Sequence, residues 1–407
     1  MTTTLNIDHD RLARAALTRI VEPGSALGTT AVRVWGAVRA LQILSGQDRP
    51  GADERQELSL VLHGEGMALS ERVWAKAMEG WSARSRTVAP ERDVMSMERM
   101  SGGLLVPDDP DWPVAVDDLG PAAPLALWYR GVGAVPKLST TVAVVGSRDA
   151  TAYGQSVTRT LAGGVGARGL TVLSGGAYGI DAMAHRAALA SGAGEPPTVA
   201  VMAGGLDRYY PAGNEELLRD VARHGLLLSE LAPGSSPTRH RFLHRNRLIA
   251  ALSGAVLVVE ARWRSGAQNT AGHALGLGRE IGVVPGPVTS PQSAGCHRLL
   301  RESPASVVTD VEEAMALMPG VGTPGRGSDS GSGPDPDSGS GSERPHDHLT
   351  IEELLVYEAL PLRSAAPIDK LCSVAGLGPG TVMGTLKRLQ RQSMAEQRGN
   401  GWRRCST

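Results

Sequence analysis

An arginine-rich stretch near the middle of the chain carries the strongest chemical signal in the sequence. The nine residues from Arg239 to Arg247 include four arginines, two histidines and no carboxylate. They lead directly into the apolar Leu248–Ala250, as expected of a helix that starts at the surface and continues into a core. Helix N-termini disfavour cations, so the stretch predicts a site for a polyanion or an acidic partner. The candidate ligands are Arg239, Arg241, Arg245, Asn246 and Arg247.

Two other interpretations of this stretch stay open at the level of sequence. The stretch could be an ordinary solvated start of a helix. Alternatively, Arg245 or Arg247 could pair with a carboxylate inside the fold, and Glu230 and Glu260 are the candidates. In that case the arginine would stabilise the fold and would not hold a ligand.

Three glycine-containing turns, each directly after a predicted strand, favour an anionic ligand as well. The first is Gly146–Ser147–Arg148, the second contains Gly175 and Gly176, and the third contains Gly204 and Gly205. Glycines let a backbone approach a ligand closely, and the helix N-termini after such turns attract anions. A serine hydroxyl and an arginine beside them suit a phosphate. The alternative is that the glycines serve only to make tight turns.

The sequence lacks the motifs of common nucleotide enzymes and metal sites. It has no Walker A loop, no G-x-G-x-x-G after the first predicted strand, and neither G-x-S-x-G nor H-E-x-x-H. His240 and His244 are four residues apart without a third ligand nearby, and Cys296–His297 has no evident third partner. Three cysteines are too few and too scattered for a disulfide framework or a zinc site. We therefore predict no catalytic residues, no metal and no cofactor, and hence a protein that is not an enzyme.

The elements that must position these residues are predicted between residues 137 and 316, where short β-branched runs alternate with helical stretches. The predicted strands are Val142–Val145, Leu170–Leu173, Thr198–Met202, Leu226–Leu228, Ala255–Glu260 and Ile281–Val284. This alternation predicts an α/β fold with a doubly wound, Rossmann-like parallel sheet. In such a sheet ligands bind beyond the carboxyl ends of the strands. The glycine turns and the arginine stretch would meet at that edge.

The remainder of the chain divides into four segments. Residues 1–100 show helical spacing and predict a small helical domain of the SAM-like or helix-hairpin-helix-like kind. Residues 101–136, rich in Pro, Asp and Gly, predict a connector with short extended pieces, and residues 317–347 predict a disordered linker. Residues 348–407 hold three amphipathic stretches and a hairpin signal, which is the pattern of a winged helix. A winged helix could enter a DNA groove or serve protein contacts.

Charge and hydropathy argue against a membrane protein and against a globally basic one. The chain has 41 Lys+Arg and 42 Asp+Glu, so attraction to a polyanion must come from a local patch. Its longest apolar runs are far shorter than the ~20 residues that span a bilayer. No basic-then-apolar leader opens the sequence. We expect a soluble protein with a cytoplasmic location.

Seven strings within residues 142–300 together resemble the DNA-processing protein A family, also called Smf. They are VAVVGSRDATAYG from Val142, LSGGAYGIDAMAHRAAL from Leu173, VMAGGLDRYYPAGNEELL from Val201, LLLSELAPGSSP from Leu226, RFLHRNRLIAALSGAVLVVEA from Arg241, SGAQNTAGHALGLGR from Ser265, and VPGPVTSPQSAGCHRLL from Val284. Their order and spacing make the resemblance specific. Two places depart from the family's pattern: its Phe-Pro is Phe242–Leu243 here, and its Ser-Leu-Ile-Thr-Ala string is AQNTA at Ala267–Ala271.

The resemblance implies a function and a set of site residues. Similar proteins bind single-stranded DNA on an extended Rossmann domain, form homodimers, protect incoming DNA and load the RecA recombinase during natural transformation. The strand-binding pocket implied here consists of Gly146, Ser147, Arg148, Gly175, Gly176, Arg245, Asn246 and Arg247. Lys137 is the only lysine of the domain, so Arg239, Arg241 or Arg264 would replace the family's lysines.

Two rival functions belong to other classes. A nucleotide-processing hydrolase of the similar lysine-decarboxylase-like Rossmann fold would carry a Pro-Gly-Gly-x-Gly-Thr loop, whereas Gly204–Gly205 is followed here by Leu206–Asp207. An interaction scaffold would use the C-terminal segment and no strand pocket. Release of base from nucleoside monophosphates, measured beside strand binding, separates the three.

Overall fold

The structure of the chain, a computed structural model, describes residues 9–320, 349–361 and 364–405. Most of the predicted linker therefore lies outside the described residues. Its first two residues, Leu317 and Met318, are buried in the same hydrophobic core as Val142 and Val144. The expected boundary at residue 317 is thus corrected, because the packed body continues to at least Met318.

The N-terminal region is helical, as its spacing predicted. Its helices are α1 (His9–Ile20), α2 (Ala26–Trp35), α3 (Ala37–Leu44), α4 (Ala52–Gly64), α5 (Glu71–Ser85) and α6 (Pro90–Glu98). Side chains of Ser25 and Ser70 accept a backbone N–H at the starts of α2 and α5, which is the usual N-cap arrangement. Trp74 packs edge-on against Trp35 and Trp81, with ring centroids 6.1 and 6.2 Å apart.

A nine-stranded sheet forms the centre of the part of the chain that the structure describes. Its strands are β1 (Gly102–Leu105), β2 (Leu127–Gly131), β3 (Thr141–Val145), β4 (Thr171–Ser174), β5 (Thr198–Val201), β6 (Leu226–Ser229), β7 (Ala255–Val258), β8 (Glu280–Val283) and β9 (Ser306–Val307). The order across the sheet is β1-β2-β6-β5-β4-β3-β7-β8-β9. Strands β3 to β9 pair in parallel. The predicted doubly wound α/β fold is confirmed.

Residues 101–136 are part of this sheet: the short extended pieces expected there are strands β1 and β2, and the segment is not the separate connector that we predicted. Strand β2 pairs antiparallel with β6, and β1 pairs antiparallel with β2. The side chains of Leu104, Leu127 and Trp128 are buried. Pro and Asp residues divide the segment into short pieces. Its two strands, β1 and β2, gain their stability from burial at this edge of the sheet.

Seven helices cover the sheet on both faces. They are α7 (Ala152–Ala167), α8 (Ile180–Ser191), α9 (Glu215–His224), α10 (Arg239–Ala251), α11 (Gly266–Gly276), α12 (Ala294–Glu302) and α13 (Val311–Ala316). Alternate residues of β3 face opposite layers: Val142 and Val144 share a core with α7 and α8, while Ala143 and Val145 share one with α10 and α11. The chain reverses its direction of growth at β3, whose neighbours are β4 and β7. The crevice beyond the carboxyl end of β3 is therefore the expected ligand position.

The C-terminal segment forms three helices and a hairpin that rest on the body. These elements are α14 (Ile351–Ala359), α15 (Ile368–Ala375), α16 (Pro379–Arg391), β10 (Ala395–Arg398) and β11 (Gly401–Arg404). Asn269 of α11 donates from Nδ2 to the carbonyl oxygen of Val374 at 3.1 Å. The helices and the hairpin match the predicted elements, and their interpretation as a winged helix stays a prediction. Within residues 9–320, 349–361 and 364–405 no helix is long and apolar enough to cross a membrane.

Candidate nucleic-acid interface

The turn after β3 exposes only one side chain of Gly146–Ser147–Arg148. Gly146 packs against α8, since a Cβ there would lie 2.5 Å from Cγ1 of Ile180. Ser147 is buried, and its N–H donates to the carbonyl oxygen of Glu260 at 2.7 Å. Arg148 is exposed. Glycine and serine therefore build the turn, and the arginine is the group that it offers to a ligand.

The turn after β4 has its N–H groups occupied within the protein. The carboxylate of Asp181 accepts the N–H groups of Gly175 and Ala177 at 3.2 and 3.3 Å. The N–H of Gly176 donates to Nε2 of His185 at 3.2 Å. The expectation that this turn cradles a phosphate with its amides is corrected, because acceptors from the first turns of α8 already bind them.

Burial shifts the pKa of both acceptors. It lowers the pKa of His185 to about 3, and the nearby charges of Arg245 and Arg186 act in the same direction. The neutral ring has its Nδ1 2.7 Å from the hydroxyl of Thr198. Burial raises the pKa of Asp181, an effect that the charges of Arg245 and Arg148 oppose. The two side chains are thus fixed parts of the turn.

Arg245 is buried beneath the same turn. Its Nη1 donates to the carbonyl oxygen of Gly175 at 2.6 Å and also to that of Val201. A Cβ at Gly175 would collide with this guanidinium, which explains the glycine. Burial lowers the pKa of Arg245 to about 10. Arg245 therefore ties the ends of β4 and β5 to α10, and the prediction that it holds a strand at the surface is corrected.

Arg247 and Asn246 also face inward. Nη2 of Arg247 donates to both carboxylate oxygens of Glu230 at 2.7 Å, and the arginine is fully buried. This is the internal ion pair that the sequence left open as an alternative. Asn246 donates from Nδ2 to Oδ1 of Asn269 at 3.0 Å. Both predicted ligands are corrected to residues that hold α10 in place.

The first turn of α10 carries one engaged and one exposed arginine. Arg241 makes an ion pair of 3.0 Å with Glu22, which lies between α1 and α2, and donates to the carbonyl oxygen of Ser236 at 2.8 Å. Arg239 is exposed, and the described residues include no carboxylate within ion-pair distance of it. Arg148 and Arg239 are thus the predicted arginines that stay open to a ligand.

Arg148, Tyr210 and Phe242 form a surface that we call the aromatic platform, on which Arg148 and Tyr210 are exposed and Phe242 is half-buried. Cζ of Arg148 lies 4.7 Å from the ring centroid of Phe242, and the rings of Phe242 and Tyr210 are 5.9 Å apart. Tyr210 is 48 % exposed. The platform borders a cleft of about 210 Å³ that contains Gly175, Gly204 and Gly205. It lies at the carboxyl end of the sheet, where the fold places its ligand.

The aromatic part of this surface was not predicted from the sequence. Phe242 is the only phenylalanine, and Tyr209–Tyr210 follow the third glycine turn in a chain with six tyrosines. The position of these aromatic residues was the signal that the sequence offered. In a chain with so few aromatics, a pair of them at a predicted ligand edge rarely arises by chance. The planar guanidinium of Arg148 and the two rings can stack on flat ligand groups.

The groups considered for catalysis or metal binding are engaged elsewhere. Burial raises the pKa of Cys296 to about 12, so the thiol is protonated. Nε2 of His297 lies 2.9 Å from the carbonyl oxygen of Gly286. His240 and His244 contact each other, with 2.8 Å between their Nε2 atoms. The described part of the chain contains no group of three or more His, Cys, Asp or Glu that could hold a metal ion.

Fold and site together define a class of protein: a doubly wound α/β protein that presents arginine and aromatic rings beyond the carboxyl ends of its strands. The chain belongs to the DNA recombination-mediator protein A family, whose model matches residues 103–319. The resemblance found in its motifs is thereby confirmed.

Its relatives are DNA-processing proteins. A putative DNA processing protein DprA of Mycobacterium tuberculosis strain H37Rv is 41% identical over 98% of this chain and 95% of its own length. The X-ray structure of DNA processing protein A from Streptococcus pneumoniae is 31% identical, covers 64% of this chain and 92% of its own, and has a TM-score of 0.52. A Helicobacter pylori DNA processing protein A, solved to study its single-stranded DNA binding mode, is 30% identical over 54% of this chain and 96% of its own, with a TM-score of 0.47.

Proposed function

We propose that this protein binds single-stranded DNA on the aromatic platform and does not transform it chemically. The observation that carries the proposal is Arg148: it is exposed, lies over Phe242, and has no carboxylate within ion-pair distance among the described residues. A guanidinium with no ion-pair partner among the described residues, at the ligand edge of the sheet, suits a phosphate. Arg239, exposed at the start of α10, supplies a second positive charge.

The aromatic rings favour a single strand over a duplex. Exposed bases of a single strand stack on aromatic side chains, each contact contributing about 1–3 kcal/mol. Tyr210 and Phe242 offer such rings next to the cleft of about 210 Å³. A duplex keeps its bases stacked on one another, so it would gain only the phosphate contacts. The engaged Cys296 and His297 support a role in binding and not in catalysis.

The wider role follows from family membership and from the motif resemblance. On that ground we propose that the protein acts as a homodimer that protects incoming strands and loads RecA onto them. Loading is tested by following RecA-dependent ATP hydrolysis on strands covered with single-strand-binding protein. A faster onset of ATP hydrolysis in the presence of this protein supports RecA loading. An unchanged onset contradicts the proposal that the protein loads RecA.

The binding proposal is tested by competition. A labelled oligothymidine bound to the protein should be displaced by unlabelled oligothymidine at much lower concentration than by the same length of duplex. The preparation should release no base from nucleoside monophosphates. Equal displacement by duplex would contradict the single-strand assignment, and base release would support the hydrolase instead.

A further inference from the structure

A second cleft lies beside the aromatic platform, at the edge of the sheet where β2 and α9 meet. It has a volume of about 730 Å³ and lies between residues 100–101, the end of β2, the loop at 207–209 and α9. Its lining includes four arginines and two carboxylates. The arginines are Arg130, Arg208, Arg219 and Arg223, and the carboxylates are Asp207 and Glu215. We call it the arginine cleft, and its charge is positive in a chain that is neutral overall.

Tyr209 orders two of these arginines. Its ring lies 4.9 Å from Cζ of Arg130 and 5.9 Å from Cζ of Arg219. Nη1 of Arg130 also donates to the carbonyl oxygen of Leu206 at 3.0 Å, and Arg130 has no carboxylate within ion-pair distance among the described residues. Arg219 is held by Glu215 at 2.6 Å. The guanidiniums are therefore held in place before any ligand arrives.

The carboxylates near the cleft leave a surplus of positive charge. Oδ1 of Asp207 accepts the N–H of Gly234 at 2.6 Å, so that carboxylate is committed to the loop. Arg208 and Arg223 make only loose pairs, 3.8 Å to Asp207 and 3.6 Å to Asp220. Exposed pairs of this kind contribute about 0–1 kcal/mol and exchange readily for a phosphate.

The two clefts adjoin each other. Asp207, Arg208 and Tyr209 line both, and Tyr209 precedes Tyr210 of the aromatic platform. Tyr210 belongs to the smaller cleft and contacts Phe242, whereas Tyr209 contacts the arginines of the larger one. A ligand that leaves the platform across this loop enters the arginine cleft.

We propose that the arginine cleft binds phosphate groups of the strand that occupies the aromatic platform, and so lengthens the DNA-binding surface toward α9. The inference rests on the proposed function, because it uses the same strand. The recognised chemistry is a phosphate held by ordered guanidiniums, which bind such groups by charge-assisted hydrogen bonds. A free nucleotide presents the same chemistry, so the experiment must separate the two sources.

The test is the double variant Arg219→Ala/Arg223→Ala, with Arg159→Ala as control. Arg159 is an exposed arginine on α7, a helix that lines neither cleft. Affinity is measured for oligothymidines of about 6 and about 20 nucleotides, a range that brackets common single-strand site sizes. The double variant should bind the longer strand roughly 10-fold more weakly, because two guanidiniums no longer make charge-assisted hydrogen bonds to its phosphates. Its salt slope should become shallower by about 1.4, for two phosphates at ~0.7 each.

The shorter strand reports on the platform alone and keeps the two proposals apart. It should bind the double variant and the control like the unaltered protein. Unchanged affinity of the double variant for the longer strand would overturn the arginine cleft while leaving the platform intact. The double variant could instead lose binding to dTTP and keep its affinity for the longer strand. That result would assign the arginine cleft to a free nucleotide and overturn the proposal that it binds phosphates of the strand. If neither strand binds the unaltered protein, the proposed function and this extension of it both fail.

Discussion

At the scale of single residues, we expect strand binding to depend on Arg148. We predict that Arg148→Ala weakens oligothymidine binding roughly 10-fold or more, because a charge-assisted phosphate contact is worth about 1.5–3 kcal/mol. The midpoint of thermal unfolding should not change, since the side chain is exposed. Arg148→Lys should recover part of the loss, because an ammonium cannot reproduce the guanidinium fork. Fluorescence anisotropy and thermal unfolding on the same samples check this, and full affinity in Arg148→Ala would contradict it.

Replacing Arg247 should lower the stability of the fold and leave strand binding unchanged, the reverse of what we expect for Arg148. Arg247→Ala leaves Glu230 buried without its partner, and breaking a buried ion pair costs about 3–5 kcal/mol of stability. Binding per folded molecule should be retained. The free energy of unfolding in urea measures the first effect, and strand titration below the unfolding transition measures the second.

The matched control for Arg247 replaces both partners. Arg247→Met/Glu230→Leu removes the two charges together and should restore much of the lost stability. A stable Arg247→Ala variant that no longer binds strands would show that the ion pair opens to meet DNA.

Residue types predicted where the site lies better than which arginines serve it. The stretch from Arg239 to Arg247 contains no acid, which suggested a polyanion ligand. The counter-charges come from outside the stretch: Glu230 precedes Arg247 by 17 residues, and Glu22 reaches Arg241 from the N-terminal region. Spacing along one segment cannot show partners that only the fold brings together.

At the scale of elements, the turn after β4 depends on a histidine that stays neutral. In the unfolded chain a histidine takes up a proton near pH 6.5, whereas folded His185 does so only at about pH 3. Acid therefore favours the unfolded chain. The stability that the neutral His185 contributes to the folded state is lost as the pH falls from about 6.5 toward 3. We predict that His185→Gln makes the free energy of unfolding less dependent on pH between about 7.5 and about 5.

This comparison has a control in the exposed His224 at the end of α9. His224→Gln should keep the pH dependence of the unaltered protein. Urea unfolding at several pH values measures all three proteins, and an identical pH dependence in His185→Gln would show that the buried imidazole does not resist protonation. Asp181, whose pKa burial raises, is common to all three and cancels in the difference.

The elements of the sheet were predictable to different degrees. Strands β3 to β8 are short runs of β-branched and aliphatic residues between helices, and their positions followed from that alternation. Strands β1 and β2 were predicted only as short extended pieces, because each is short and is set among Pro and Asp residues. Strand β1 pairs antiparallel with β2, and β2 pairs antiparallel with β6, which comes much later in the chain, so local sequence alone does not fix this pairing.

At the scale of the whole molecule, α10 and α11 hold the three regions together. Arg241 of α10 reaches Glu22 in the N-terminal region, and Asn269 of α11 reaches Val374 in the C-terminal one. Leu355 of α14 packs so closely on α11 that a Cβ at Gly272 would lie 2.5 Å from its Cδ1. The C-terminal elements are therefore seated on α10 and α11, and the first turn of α10 contributes Phe242 to the aromatic platform.

We predict that Gly272→Ala loosens this seat. The added methyl group would clash with Leu355, although alanine itself favours a helix by about 1 kcal/mol over glycine. Amide hydrogen exchange should become faster in α14 and stay unchanged in β3 to β7. Gly276→Ala is the control, because its Cβ would lie 3.4 Å from the carbonyl oxygen of Gly376, an ordinary contact. Equal exchange in α14 of both variants would mean that Gly272 does not secure the docking.

The salt dependence of strand binding is the most direct test of whether the arginines at the carboxyl edge of the sheet bind single-stranded DNA. For a single strand held through three or more phosphates, the logarithm of the binding constant should fall with the logarithm of salt at a slope of about −2 or steeper, at ~0.7 per phosphate. We expect that slope for oligothymidine. We also expect the single strand to bind more tightly than duplex at every salt concentration. A slope near zero would show that the arginines at the carboxyl edge of the sheet do not meet DNA.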